Sequence, residues 1–173
     1  MTIRFLGTND LAAYRDLRLA GLKESSTAFG SSFVDEVDLP LTEFAARMRP
    51  QGKPDNGIFG AFLEDRGLVG ILGFAKEYRV KRAHVASLWG MYVSPEFRGQ
   101  GIGAALVDEA IAHARKLDSV RQILLSVTAN NVAAGSLYRS RGFERIGLER
   151  DALCIDGKYY DEEQMALFLK ESC

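Results

Sequence analysis

The stretch VSPEFRGQGIGAALV, residues 93–107, carries three glycines and an arginine at the point where an extended segment changes to a helical pattern. From Ile102 onward, apolar residues recur at spacings of three and four, which predicts a helix facing the core. Glycine lacks the Cβ atom that keeps a ligand away from the main chain, and the first amides of a helix have no partner within it. Such a helix start attracts anions, so the stretch predicts a binding site for a phosphorylated ligand.

Other glycine-rich phosphate loops fit these residues less well. A P-loop requires GxxxxGK followed by Ser or Thr, which this stretch lacks. The dinucleotide-binding fingerprint GxGxxG is matched only in its alanine-ended form, by Gly99, Gly101 and Ala104. That fingerprint also expects a ribose-binding acid about 20 residues later, where Asp118 is the only acid available. A tight turn between strand and helix, with nothing bound, is the simpler alternative.

The segments on either side of this turn predict a mixed sheet covered by helices. The predicted strands are residues 2–6, 57–63, 68–78, 84–93 and 121–129, with two final strands around the DGK turn at 156–158. Helices are predicted from Asn9 or Asp10, over 41–49, from Ile102 and over 130–143. Residues 24–38 show turn formers without a clean period and are predicted to form a loop. The order strand, helix, strand between 84 and 129 predicts one parallel pair in an otherwise antiparallel sheet.

Composition argues against several classes of partner. The 173 residues, of which 47% are hydrophobic, are predicted to form one globular domain, residues 1–173. A formal net charge of −1 provides no field that gathers nucleic acid or an anionic membrane. The sequence shows no secretory signal and no apolar run of about 18 residues, so a cytoplasmic location is expected. Cys154 and Cys173 lack the spacing of metal ligands, so we expect reduced thiols and no metal site.

Two separate motifs resemble those of one enzyme family. Arg98 to Ala104 is similar to the Q/R-x-x-G-x-G/A signature of the GCN5-related N-acetyltransferases, the GNAT enzymes. A second pattern of that family, NxxAxxLYxxxGF, begins at Asn131 and ends at Phe143. The resemblance implies an α+β fold with a mixed, mostly antiparallel sheet flanked by about four helices. Its central parallel strands are expected to splay apart at a cofactor cleft.

The resemblance also implies acetyl-coenzyme A (acetyl-CoA) as the cofactor, bound between the fourth and fifth strands. Its pantetheine arm is expected to pair with exposed backbone, as an added strand does. The glycine turn is expected to hold the pyrophosphate. Arg98 either adds positive charge there or is simply solvated. Asn131 is expected to form hydrogen bonds with the pantetheine amides, to cap its helix, or to do both. The implied cofactor-binding residues are Met91, Val93, Arg98, Gly99, Gln100, Gly101, Ile102, Gly103, Ala104, Asn131, Ala134 and Tyr138.

The implied reaction is direct attack of an amine on the thioester, without an acyl-enzyme. Tyr138 is the expected general acid, because a phenol with an ordinary pKa of about 10 stays protonated at neutral pH. The backbone N–H of Met91 or Val93 is expected to polarise the carbonyl. The general base is open, because the fourth strand lacks the glutamate that family members often carry there. His84, Glu77 and a chain of waters are the alternatives.

The acceptor is indicated by charge alone. Five acids and no basic residue lie between Lys23 and Arg47, which favours either a cationic amine or simply a solvated acidic loop. The candidate acceptor-binding residues are Phe29, Phe33, Asp35 and Glu36. The predicted function is acetyl-CoA-dependent N-acetylation of a primary amine on a small molecule or peptide. A non-catalytic acyl-CoA-binding sensor or regulatory module is the alternative, and the resemblance is compatible with a homodimer.

Overall fold

The predicted strands and helices form in the computed structural model, which describes residues 1–169. The strands are β1 (Thr2–Phe5), β2 (Gly57–Leu63), β3 (Gly67–Lys76), β4 (Val85–Val93), β5 (Gln122–Thr128), β6 (Glu144–Ile155) and β7 (Lys158–Phe168). The helices are α1 (Leu11–Glu24), α2 (Phe33–Glu36), α3 (Leu41–Met48), α4 (Ile102–Lys116) and α5 (Val132–Ser140). Cys154 is an exposed free thiol, whereas the prediction for Cys173 falls outside the described residues.

The seven strands form one sheet in the order β1-β2-β3-β4-β5-β7-β6. Neighbouring strands are antiparallel except for β4 and β5, which run parallel. The chain reaches β5 from β4 through α4, because a parallel pair requires a long crossover connection. The predicted α+β fold, with one parallel pair inside a mostly antiparallel sheet, is confirmed.

The parallel pair is short because β4 bends away from β5. Their pairing begins at Val85 and ends at Ser87. On the other side of β4, the register with β3 shifts between Trp89 and Tyr92, so that β4 carries one extra residue there. Gly90 lies in this bulge with φ +61°, a left-handed conformation that favours glycine. The bulge bends β4, and the two central strands therefore separate beyond Ser87.

Helices cover both faces of the sheet. The predicted apolar face of α4 is buried against one face, with Leu106, Ala110 and Ala114 fully enclosed. Helices α1 and α3 cover the other face through Tyr14 and Phe44. Because side chains alternate along β2 and β3, neighbouring residues of these strands contribute to different clusters. No helix in the described part of the chain is long and apolar enough to span a bilayer.

The region predicted as a loop, residues 24–38, contains the one-turn helix α2. Ser32 and Asp35 form a capping box at its start: the Asp35 N–H donates to Ser32 Oγ at 3.2 Å, and the Ser32 N–H donates to Asp35 Oδ2 at 3.0 Å. A helix of four residues is too short to produce a hydrophobic period, so the sequence pattern does not reveal it. Within residues 1–169 the sheet carries five α-helices, in agreement with the expected number of about four plus this single turn.

The final two strands form the predicted hairpin. Ile155 of β6 is opposite Lys158 of β7, and the two residues between them make the turn. Asp156 and Gly157 have φ values of +50° and +75°, as a two-residue hairpin turn requires. Since β7 also pairs with β5, the hairpin completes the sheet beside the central strands.

A substitution at Gly73 tests how the sheet accommodates its only tryptophan. A Cβ atom at Gly73 would overlap the indole ring of Trp89 on the neighbouring strand. We expect Gly73→Ala to lower the free energy of unfolding by about 1–3 kcal/mol, the usual cost of overpacking. Denaturant unfolding followed by Trp89 fluorescence measures the change.

Gly7→Ala is the matched control for Gly73→Ala. Its added Cβ atom meets nothing closer than Asp10 Oδ2, at 3.7 Å. The free energy of unfolding of Gly7→Ala is expected to fall by clearly less than that of Gly73→Ala, because the new methyl group overlaps no side chain and the Gly7 N–H keeps its hydrogen bond to Asp10 Oδ2. Equal stabilities for the two variants would contradict the packing described for Trp89.

Candidate active site

The glycine turn leads directly into α4. Gly99 and Gly101 have φ values of +75° and +80°, and Gly101 is the N-cap of this 15-residue helix. Open space lies where a Cβ atom of either glycine would project. The turn thus presents bare main chain at the positive end of a long helix, the arrangement that binds phosphate groups.

A cleft of about 540 Å³ opens between the turn, the bent part of β4, and α5. Nearly all of the residues predicted to bind the cofactor line it: Met91, Val93, Arg98, Gly99, Gly101, Ile102, Gly103, Ala104, Asn131, Ala134 and Tyr138. Gln100 is the exception, because its side-chain amide turns toward the Glu96 carbonyl oxygen, 3.4 Å away. Two motifs far apart in the sequence therefore meet around one cleft.

Arg98 is held in place at the edge of the cleft. Its Nη2 lies 2.7 Å from Oε2 of Glu24, its Nη1 lies 3.1 Å from Oε1, and its Nε donates to the Val93 carbonyl oxygen at 2.9 Å. Hydrogen bonds from Arg98, and then from Ser25, lower the pKa of Glu24 to about 2. Arg98 is therefore neither simply solvated nor a free cation, because a carboxylate at the end of α1 already pairs with it.

Asn131 and Tyr138 lie on α5, on the far side of the cleft. Asn131 caps the helix, since its Oδ1 accepts from the Ala134 N–H at 3.2 Å. The phenol of Tyr138 is buried, and its hydroxyl lies 3.8 Å from Sδ of Met91. Burial raises the pKa of Tyr138, so the phenol carries its proton at neutral pH.

A second cavity, of about 550 Å³, adjoins this cleft. The residues common to both are Ala28, Phe29, Leu88, Trp89, Gly90 and Ser126. The two cavities therefore meet at the β4 bulge, where β4 and β5 have separated. Among the described residues that line the second cavity, only Arg18 and Glu162 carry charge.

Glu162 lies on β7, opposite Thr128 of β5 and Glu149 of β6. Burial, and then the negative charge of Glu149, raise the pKa of Glu162 above its ordinary value. A carboxyl group with a raised pKa beside a cleft is a typical proton acceptor. The sequence analysis missed Glu162, because the alternation of β7 shows that it lies on a strand but not which cavity that strand borders.

The structure does not place His84 or Glu77, the residues proposed as alternative bases, at either cavity. Both lie near the start of β4, where β4 and β5 are still paired and no cleft exists. His84 precedes β4 and is exposed. Glu77 bonds to Arg79, with its Oε2 3.0 Å from Arg79 Nε, and this hydrogen bond lowers its pKa. Neither residue is among those that line the two cavities, and the identity of the base stays a prediction.

Of the four predicted acceptor-binding residues, only Phe29 lines a cavity. Phe33 packs against the cluster under α1, and the exposed Asp35 caps α2. Glu36 is buried, 2% exposed, with its carboxylate bonded to Arg18 and Arg47. Its charge is neutralised inside the protein, so Glu36 does not attract a cationic amine as the acidic stretch had suggested.

Comparison with known proteins agrees with this geometry. Residues 22–143, more than half of the chain, match the sequence profile of the Acetyltransferase (GNAT) family. A mycothiol acetyltransferase from Geodermatophilus obscurus is 41% identical over 61 residues, which are 35% of this chain and 20% of that protein. An L-amino acid N-acetyltransferase from Escherichia coli is 31% identical over 102 residues, covering 59% of this chain and 62% of that protein. The chain thus spans less than two thirds of either relative.

The fold also matches solved structures over its whole length. A structure of yncA, a putative acetyltransferase from Salmonella typhimurium with its cofactor acetyl-CoA, superposes with a TM-score of 0.81 at 23% identity. The match covers 100% of this chain and 96% of that one. The splayed parallel pair and the glycine turn at the start of α4 agree with the sequence match over residues 22–143. Because that match covers more than half of the chain, this chain belongs to the Acetyltransferase (GNAT) family.

Proposed function

We propose that this protein is an acetyl-CoA-dependent N-acetyltransferase that acetylates a primary amine of a small molecule or peptide. The observation that carries the proposal is the meeting of two cavities at the β4 bulge, one beside the glycine turn and one containing Glu162. A transferase needs this arrangement, because donor and acceptor must approach within reach of one another. The family membership supports the same reaction class.

The cleft beside the glycine turn fits acetyl-CoA, which supplies the acetyl group as a thioester. The amides of residues 99–104 at the start of α4 would hold its pyrophosphate. Beyond Ser87, β4 has no pairing with β5 within the described residues, so its main chain borders the cleft as an unpaired edge. Met91 and Val93 on this edge are suited to hydrogen bonding the pantetheine arm and the carbonyl oxygen.

The protein must also move two protons. An alkylamine has an ordinary pKa of about 10.4 and is almost fully protonated at neutral pH, so a base must accept its proton. We take the second cavity as the binding site of the amine and call it the acceptor cavity. Glu162 is the carboxylate in this cavity, and its raised pKa makes it a better proton acceptor than an ordinary glutamate. Tyr138 holds a proton at its buried phenol on the opposite side, for the departing thiolate.

Thiol release from acetyl-CoA with a panel of amines tests the function. The lack of a carboxylate on β4 favours the alternative, a non-catalytic acyl-CoA-binding module, but in our proposal Glu162 of β7 takes the role of that carboxylate. We expect amine-dependent thiol release together with acetylated amine detected by mass spectrometry. Tight coenzyme A binding without release for any amine would favour the non-catalytic module.

The first prediction concerns coenzyme binding at Gly101. Gly101→Ala places a methyl group on the left-handed residue that begins α4, and we expect at least a tenfold loss of coenzyme A affinity. Gly52→Ala is the matched control: Gly52 has φ +71°, has equally open surroundings and does not line the cleft. Both changes cost about 1–2 kcal/mol of backbone strain, but only Gly101→Ala should weaken binding.

Fluorescence of Trp89 measures this affinity, because it is the only tryptophan and it lines the cleft. Urea unfolding of both variants verifies that their stability losses are equal. If Gly101→Ala left the coenzyme A affinity unchanged, or if Gly52→Ala lost as much affinity, the glycine turn would not be the binding site for coenzyme A.

The second prediction concerns Glu162 as the base. The acid limb of kcat/KM against pH should report a carboxyl pKa above the ordinary 4.5, and activity should be lost as pH falls through it. Glu162→Gln should lower kcat by about 10²–10⁴-fold. Glu149→Gln is the control: it removes the neighbouring charge, so the acid limb should move to lower pH with activity retained at high pH.

Stability distinguishes a catalytic Glu162 from a structural one. Its pKa is raised on folding, so the native state favours the protonated form, and stability is lost as pH rises through the folded-state pKa. Removing the charge therefore should leave the melting temperature of Glu162→Gln at pH 8 unchanged or higher. If the melting temperature of Glu162→Gln were lower than that of the parent, its loss of activity would be explained by loss of stability and not by loss of the base.

The third prediction concerns Tyr138 as the acid. Tyr138→Phe removes a hydroxyl whose one hydrogen-bond contact among the described residues is Met91 Sδ at 3.8 Å, so stability should not fall. We expect kcat to drop by about 10²–10⁴-fold with coenzyme A affinity preserved. Steady-state kinetics and Trp89 fluorescence measure the two effects, and an unaltered kcat would assign the proton to another donor.

A further inference from the structure

The guanidinium of Arg18 has an unused donor in the protein interior. Arg18 is 5% exposed; its Nε lies 3.1 Å from Oε2 of Glu36, and its Nη2 lies 2.8 Å from Oε1. Nη1 is buried and has no hydrogen-bond partner among residues 1–169. A buried donor without a partner costs about 1–3 kcal/mol, so such groups are rare and usually have a purpose.

This donor belongs to a residue in the wall of the acceptor cavity. A Cβ atom built on Gly90 would lie 3.3 Å from Arg18 Nη1, so the guanidinium sits directly beside the β4 bulge. Arg18 and Gly90 both line the second cavity, and Gly90 also lines the cofactor cleft. Phe29, which lines both cavities, stacks on the guanidinium with 4.8 Å between Cζ and the ring centre. The donor is therefore placed where the acceptor must bind.

The charge around Arg18 is not balanced by Glu36. Arg47 Nη1 also lies 2.8 Å from Oε2 of Glu36, so two guanidinium groups share one carboxylate. This buried cluster carries a net positive charge on the side of the cavity where Arg18 lies. At the other charged position, Glu162 is negative when ionised. The cavity thus offers a cation and an anion to the same ligand.

We propose that Arg18 Nη1 and Glu162 select an acceptor that carries a carboxylate beside its amine, a free amino acid or a close analogue. Arg18 binds the carboxylate by a charge-assisted hydrogen bond, while Glu162 takes up the proton of the amine. The proposal rests on the proposed acetyltransferase function. It favours a small molecule over a protein N-terminus, in which the carboxylate is replaced by a peptide amide.

The rest of the cavity wall combines apolar and polar side chains. Its apolar residues include Leu88, Leu125 and Ile146, and its uncharged polar residues are Ser31, Ser87, Ser126 and Gln164. Among the described residues, Arg18 is the only basic group that lines the cavity, so no other cationic side chain competes for the carboxylate. Glycine at position 90 keeps the space beside Nη1 open, because a Cβ atom there would lie 3.3 Å from it.

Matched acceptors test the carboxylate directly. L-leucine, L-leucinamide and 3-methylbutylamine share one side chain and differ in the group beside the amine. Because the three amines differ in pKa, kcat/KM is expressed per concentration of the neutral amine. On that basis we expect it to be about tenfold to a hundredfold higher for L-leucine than for the other two, the usual worth of a hydrogen bond to a charged group. Equal values on that basis, or a higher value for leucinamide, would overturn the proposal.

Arg18→Lys and Arg47→Lys form a matched pair of variants. Lysine at position 18 keeps a positive charge for Glu36 but loses the forked guanidinium, so the preference for L-leucine should shrink to threefold or less. Arg47→Lys alters the same buried cluster from outside the cavity and should keep the preference. An unchanged preference in Arg18→Lys would show that Nη1 does not bind the carboxylate.

A binding measurement separates this proposal from the proposed function. Calorimetry compares N-acetyl-L-leucine with N-acetyl-L-leucinamide on the parent chain saturated with coenzyme A, and needs no turnover and no mutation. Tenfold tighter binding of the carboxylate ligand supports the site even if no amine is acetylated, in which case the transferase function fails alone. Equal or undetectable binding of the two ligands, together with measurable turnover of amines, overturns the carboxylate site and leaves the transferase intact.

Discussion

The constraint on which the whole site depends is the early end of pairing between β4 and β5. Two parallel strands that stay paired leave no room for a ligand, and here their backbone hydrogen bonding ends at Ser87. The bulge at Gly90 bends β4, and its left-handed backbone favours a residue without a Cβ atom. Because both cavities meet at that bend, one local distortion creates the space for donor and acceptor together.

Electrostatic pairing then decides which charges remain available. Of the acids between Lys23 and Arg47, Glu24 pairs with Arg98 and Glu36 with two arginines. The acidic stretch that suggested a cation-attracting surface is therefore partly used to order α1 and the edge of the cofactor cleft. The ionisable groups left facing the acceptor cavity are Arg18 and Glu162, which lie far apart in the sequence.

Features set by neighbouring residues were predictable from the sequence. The glycine turn, the N-cap at Asn131 and the Asp156–Gly157 hairpin each depend on a few consecutive residues, and all three form as expected. The role of Glu162 and the burial of Glu36 depend instead on partners that only the folded sheet provides. Side-chain alternation gives the face of a strand, but not the cavity that it borders, and counting charges does not show which ones are paired.

The two cavities differ in how they are assembled along the chain. The cofactor cleft is built mainly from residues 88–138, a continuous strand, helix, strand and helix, whereas the acceptor cavity joins α1, β4 and the final hairpin. Local opening of the final hairpin would therefore disturb the acceptor cavity more than the cofactor cleft, whereas opening of α1 would affect both, because Glu24 pairs with Arg98 at the edge of the cleft. The same division lets changes in the final hairpin reshape the acceptor cavity without rebuilding the part that holds the donor.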